Sequence, residues 1–93
     1  MKLKNRIKVE VTAQDIRRGK RGTCQLCPVA KTVKRVLGRG YRVSICDDIY
    51  VTAVKGDIGE VSFNMPVEAQ TFINNFDYGR PVKPFSFVAV RYR

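Results

Sequence analysis

Apolar residues recur along the chain with two different periods, and these periods predict its secondary structure. The first stretch, residues 6–12, places Ile7, Val9 and Val11 in alternation with polar residues, which is typical of a strand with one buried side. Similar apolar patterns predict four more strands, over residues 41–46, 49–54, 59–63 and 85–91. Near its middle, the last of these strands has apolar residues on both faces, so we expect it inside a sheet rather than at an edge.

Apolar residues at helical spacing predict two main helices. The first runs roughly from Pro28 to Leu37, with basic residues on the side opposite its apolar stripe. The second begins at Pro66 and continues to about Asp77. A short helical turn precedes them, because Thr12 to Asp15 resembles a capping box with Asp in place of Glu. Gly19 is expected to end that turn.

This order of elements predicts an α+β fold of about five mainly antiparallel strands, with the two main helices packed on one face of the sheet. A length of 93 residues suits a single domain spanning residues 1–93. No apolar run approaches the length of a membrane span, and none follows Met1 to Arg6 to form a signal peptide. We therefore expect a cytoplasmic protein that does not bind membranes, and an odd number of cysteines agrees with a reducing compartment.

Charge is distributed very unevenly along the chain, whose net charge is +10. Thirteen basic and two acidic residues lie between Met1 and Arg42, whereas five basic and six acidic residues follow. Such asymmetry favours a directed positive field and hence an anionic partner, which could be a nucleotide, a nucleic acid or an acidic protein surface. The alternative is that the basic residues only solubilise exposed faces.

A basic loop before the first main helix is the candidate ligand site. Its glycines allow close backbone approach to a ligand, and the free N–H groups of the first helical turn after Pro28 favour anions. The predicted ligand-binding residues are Arg17, Arg18, Lys20, Arg21, Gly22, Thr23 and Lys31. The spacing matches neither a P-loop nor a dinucleotide fingerprint, and an ordinary solvated loop is the alternative interpretation.

Several kinds of chemistry are missing from the sequence. It has no histidine, which removes the usual general base and the commonest metal ligand, so we expect no enzymatic activity. Cys24, Cys27 and Cys46 are candidate zinc ligands, but a closed site needs a fourth ligand that only a carboxylate could supply. A redox pair is a second interpretation of Cys24 and Cys27, and simple packing of Cys27 near a helix cap is the favoured one. We expect no metal and no cofactor.

Two stretches of the chain resemble a family of short, uncharacterised proteins of bacteriophages and prophages. One is Arg21-Gly22-x-Cys24-x-x-Cys27-Pro28-Val29-Ala30, and the other is the spacing Pro66-x-x-Ala69-x-x-Phe72-Ile73-x-x-Phe76-Asp77-x-Gly79-x-x-Val82-x-Pro84-Phe85-x-Phe87. The resemblance implies a phage-type accessory protein acting on host molecules in the bacterial cytoplasm. It transfers no residue roles.

These observations lead to one functional hypothesis and two alternatives. The hypothesis is a non-enzymatic protein that binds a phosphate-bearing ligand and sequesters a nucleotide or cyclic-oligonucleotide signal of host defence. The alternatives are a sequence-tolerant DNA- or RNA-binding protein and an inhibitor that docks on an acidic host protein. A homo-oligomer is compatible with each of these functions, because small domains often build binding pockets across a subunit boundary.

Overall fold

The fold is α+β, as the sequence predicts. A computed structural model of the protein describes residues 5–23, 25–38, 40–46, 50–56 and 59–91. The strands are β1 (Arg6–Val11), β2 (Arg42–Cys46), β3 (Tyr50–Lys55), β4 (Gly59–Asn64) and β5 (Phe85–Arg91), and the helices are α1 (Ala13–Arg18), α2 (Pro28–Leu37) and α3 (Val67–Asp77). The turn expected at Asp47 and Asp48 lies outside the described residues.

Local sequence explains where the first two helices begin and end. The Thr12 hydroxyl accepts the Asp15 N–H at 3.2 Å, and the Asp15 carboxylate accepts the Thr12 N–H at 2.9 Å, so the predicted capping box is confirmed. Pro28 is the first residue of α2, where its missing N–H breaks no helical hydrogen bond. The helix ends before Gly38, whose φ of 95° is disfavoured for residues with a side chain.

The five strands form one antiparallel sheet in the order β1-β5-β4-β3-β2. Strand β5 is therefore internal, as its apolar sequence predicts. It pairs with β1 over six residues but with β4 only through Phe63–Arg91 and Asn64–Val90. Helix α2 contacts both outermost strands, β1 and β2. The sheet is accordingly curled, with α2 lying between its two edges.

The hydrophobic core lies between the sheet and the helices. The predicted inward residues Ile7, Val9 and Val11 are all buried. From α2, Val29 and Val33 are completely buried, because they lie on the side of the helix that the curled sheet surrounds. Helix α3 adds its own apolar side, and its Phe72 ring stacks on Phe85 of β5 with a centroid separation of 4.6 Å. No helix within the described ranges is long and apolar enough to cross a membrane.

Candidate functional site

A groove lies along one side of the pair formed by α1 and α2. The two helices run in opposite directions, because Gly19 after α1 packs on Pro28 at the start of α2 while Asp15 contacts Arg35 near the end of α2. The groove is open to solvent and has a volume of about 510 Å³. Its lining residues are Asp15, Arg18, Gln25, Leu26, Lys31, Lys34, Arg35 and Gly38.

The one acidic side chain in this lining is neutralised by Arg35. Two Arg35 nitrogens donate to the two Asp15 carboxylate oxygens at 2.6 and 3.1 Å, in a bidentate ion pair. Burial by itself raises the pKa of Asp15, but the hydrogen bonds from Arg35 and Thr12 outweigh it and lower the pKa from 3.8 to about 2. Asp15 is therefore ionised at neutral pH, and its charge is matched by that of Arg35.

Three further cations in the groove have no acidic partner within the part of the chain that the structure describes. They are Arg18, Lys31 and Lys34. The ion pairs in the described part of the chain are Arg35–Asp15 and, outside the groove, Lys8–Glu10. Lys31 and Lys34 are three residues apart on α2, so they lie on the same side of the helix. Arg18 is the last residue of α1 and approaches from the opposite wall. The groove thus carries a net positive charge from two helices.

The N-terminus of α2 is closed rather than open. Pro28 has no N–H, and the Ala30 N–H donates to the Cys27 sulfur at 3.4 Å. Cys27 is 2% exposed, and Val29 and Ala30 are 0% exposed, while Gly19 packs directly on the Pro28 ring. The first turn of α2 therefore presents no exposed N–H group to an anion, contrary to the expectation from sequence.

The predicted loop does not converge on the groove as a unit. Of the predicted ligand-binding residues, Arg18 and Lys31 line the groove, and the other five do not: Arg17, Lys20, Arg21, Gly22 and Thr23. Arg17 is exposed on the last turn of α1. The Lys20 N–H donates to the Leu26 carbonyl at 2.8 Å, and the Thr23 hydroxyl accepts the Leu26 N–H at 3.1 Å.

The tip of the loop is instead held against the end of α3. The Gly22 N–H donates to the Asp77 carboxylate at 3.1 Å. The Arg21 guanidinium lies beside Gly79, where an added Cβ would be 3.2 Å from Arg21 Nη1. These contacts direct Arg21 away from the groove between α1 and α2.

Six lining residues were not among the predicted ligand-binding residues: Asp15, Gln25, Leu26, Lys34, Arg35 and Gly38. A signal for two of them is present in the sequence. Lys31, Lys34 and Arg35 have the spacing of one exposed helical face, which is more often simply solvated. Only the packing of α1 beside this face converts it into the wall of a groove.

The cysteines give no metal site in the described part of the chain. Cys27 is buried, and its sulfur caps α2, in agreement with its interpretation as a packing residue. Cys24 and the side chain of Cys46 lie outside what the structure describes. Among the described residues, no group of three or more Cys, Asp or Glu side chains is placed to hold a metal ion.

Comparison with known proteins adds no relatives to this picture, because no family model, no curated protein and no solved structure matches the chain.

Proposed function

We propose that the protein is a non-enzymatic binding protein that captures a phosphate-bearing ligand in the groove between α1 and α2. The observation that carries the proposal is the set of three cations, Arg18, Lys31 and Lys34, without described acidic partners in one concave surface. The ligand is a nucleotide or a cyclic oligonucleotide, and the protein acts as a phage-type accessory protein that removes this signal from a host defence pathway.

The charges of the groove support an anionic ligand. A Lys or Arg contact to phosphate is a charge-assisted hydrogen bond, which contributes about 1.5–3 kcal/mol. Arg18 adds a planar guanidinium that can bind two phosphate oxygens at once. Arg35 stays engaged with Asp15, so it orients α1 against α2 rather than adding free charge.

The size and composition of the groove support a small organic phosphate over a bare anion. Its volume of about 510 Å³ falls within the range of small-molecule sites. Leu26 is 40% exposed and offers an apolar surface for a base or sugar. Gln25, beside it, carries an amide that can both donate to and accept from the edge of a base.

A sequence-tolerant nucleic-acid-binding protein is the second candidate. It is favoured by the exposed cations Arg17, Lys20 and Arg21, which lie outside the groove and would be unused by a small ligand. This candidate predicts tighter binding with each lengthening of the nucleic acid. It also predicts a steep fall in affinity with rising salt, because counterions are released from the phosphates.

Calorimetric titration with mononucleotides and cyclic dinucleotides tests the proposal. We expect Lys34→Gln to weaken binding about tenfold, the equivalent of about 1.4 kcal/mol for one lost charged contact. Lys83→Gln is the matched control, because Lys83 is an exposed lysine that does not line the groove. Absence of binding by the wild-type protein, or equal loss in both variants, would contradict the proposal.

A further inference from the structure

A second, smaller groove adjoins the cationic groove. It has a volume of about 150 Å³ and is lined by Gln25, Arg42, Val43, Ser44 and Val54. Gln25 also lines the groove between α1 and α2, so this residue stands where the two depressions meet. A ligand seated beside Gln25 in the first groove therefore lies next to the second groove.

The second groove offers a further cation and polar groups. Arg42 is the first residue of β2, is exposed, and has no acidic partner in the described ranges. In the described sheet β2 pairs with β3 alone, so its other edge carries backbone N–H and C=O groups that no described strand pairs. The half-buried Ser44 lines the same groove and can donate through its hydroxyl.

We propose that Arg42 forms a second phosphate subsite and that the ligand is a phosphodiester-linked oligonucleotide with at least two phosphates. One phosphate is bound by Arg18, Lys31 and Lys34, the linking nucleoside lies beside Leu26 and Gln25, and the next phosphate is bound by Arg42. This inference rests on the proposed function of the cationic groove and specifies the class of its ligand.

The subsite has a physical consequence for affinity. When two phosphates belong to one molecule, the second contact forms intramolecularly, so a dinucleotide binds more tightly than a mononucleotide. One charge-assisted contact of about 1.5 kcal/mol corresponds to about a tenfold gain in affinity. The gain must disappear when the Arg42 charge is removed.

The test is a calorimetric comparison of AMP with the linear dinucleotide pApA on the wild-type protein and on Arg42→Gln. We expect pApA to bind the wild-type protein about tenfold more tightly than AMP. Arg42→Gln should remove this advantage and leave the affinity for AMP unchanged, while Arg42→Lys, which keeps the charge, should retain most of it. Arg6→Gln is the matched control, since Arg6 is an exposed arginine at the start of the other outer strand, β1.

The outcomes separate this inference from the proposed function. If AMP binds but pApA has no advantage, or if Arg42→Gln keeps the advantage, the Arg42 subsite is overturned while the cationic groove stands as a nucleotide site. If neither ligand binds, both proposals are overturned. Titration with cyclic di-AMP and with pA oligonucleotides of increasing length shows whether the ligand is a small signal molecule or a nucleic-acid strand. An affinity that stops rising at two nucleotides supports a small signal molecule, and an affinity that keeps rising with length supports a strand.

Discussion

Asp15 joins the N-cap of α1 to the side of α2, so its replacement tests how these two helices are held together. We expect Asp15→Asn to lower the free energy of unfolding by about 2 kcal/mol at neutral pH. The pKa of Asp15 falls from 3.8 to about 2 on folding, and each pKa unit corresponds to about 1.36 kcal/mol. The bidentate contact with Arg35 supplies part of this effect, because an ion pair with one exposed partner contributes about 1 kcal/mol.

The effect must depend on pH in a defined direction. A carboxylate whose pKa is lowered in the folded state stabilises the protein in full at pH values above its unfolded pKa. This stabilisation is lost as the pH falls through the folded pKa. For Asp15 the loss occurs between about pH 4 and pH 2, given a folded pKa of about 2. The wild-type protein should therefore approach the stability of Asp15→Asn at pH 2, and the difference should fall below about 1 kcal/mol.

Urea unfolding of both proteins at pH 7 and pH 2 measures this difference. Glu60→Gln is the control for loss of an exposed carboxylate, because Glu60 is exposed and has no described ion-pair partner. It should change stability by less than about 0.5 kcal/mol at either pH. A difference between wild type and Asp15→Asn that is equal at both pH values would refute the reasoning, as would no difference at pH 7.

The remaining predictions concern packing and capping, and urea unfolding measures each of them. Thr12→Ala should cost about 1 kcal/mol, because it removes the hydroxyl that caps α1; an unchanged midpoint would show that the cap is unimportant. Gly19→Ala should cost about 1–3 kcal/mol, since the new Cβ would lie 2.5 Å from the Pro28 ring. Wild-type stability would mean that α1 does not pack there. Phe63→Ala should cost about 3–5 kcal/mol because Phe63 is 0% exposed, whereas Ser86→Ala on the exposed side of β5 should cost little. Equal effects of these two changes would place the core elsewhere.

Features that depend on neighbouring residues could be predicted from the sequence. The Thr12–Asp15 capping box spans three residues, and Pro28 marks the start of α2 through its own missing N–H. The alternation of Ile7, Val9 and Val11 defines the buried side of β1 without knowledge of its partner strand.

Features that depend on distant contacts could not be predicted in this way. The basic loop was expected to act as one unit, but Gly22 bonds to Asp77, which is 55 residues away. This contact turns the loop tip towards α3, while Arg18 and Lys31 remain in the groove. The short pairing between β4 and β5 is likewise a distant contact, because α3 separates the two strands and no local pattern specifies their register.

Backbone chemical-shift mapping with pApA tests the location of the ligand most directly. We expect the largest amide shifts on titration at Arg18, Gln25, Lys31 and Lys34, with a second group at Arg42. Shifts confined to residues 20–23 and the end of α3, or no shifts at saturating pApA, would contradict this expectation.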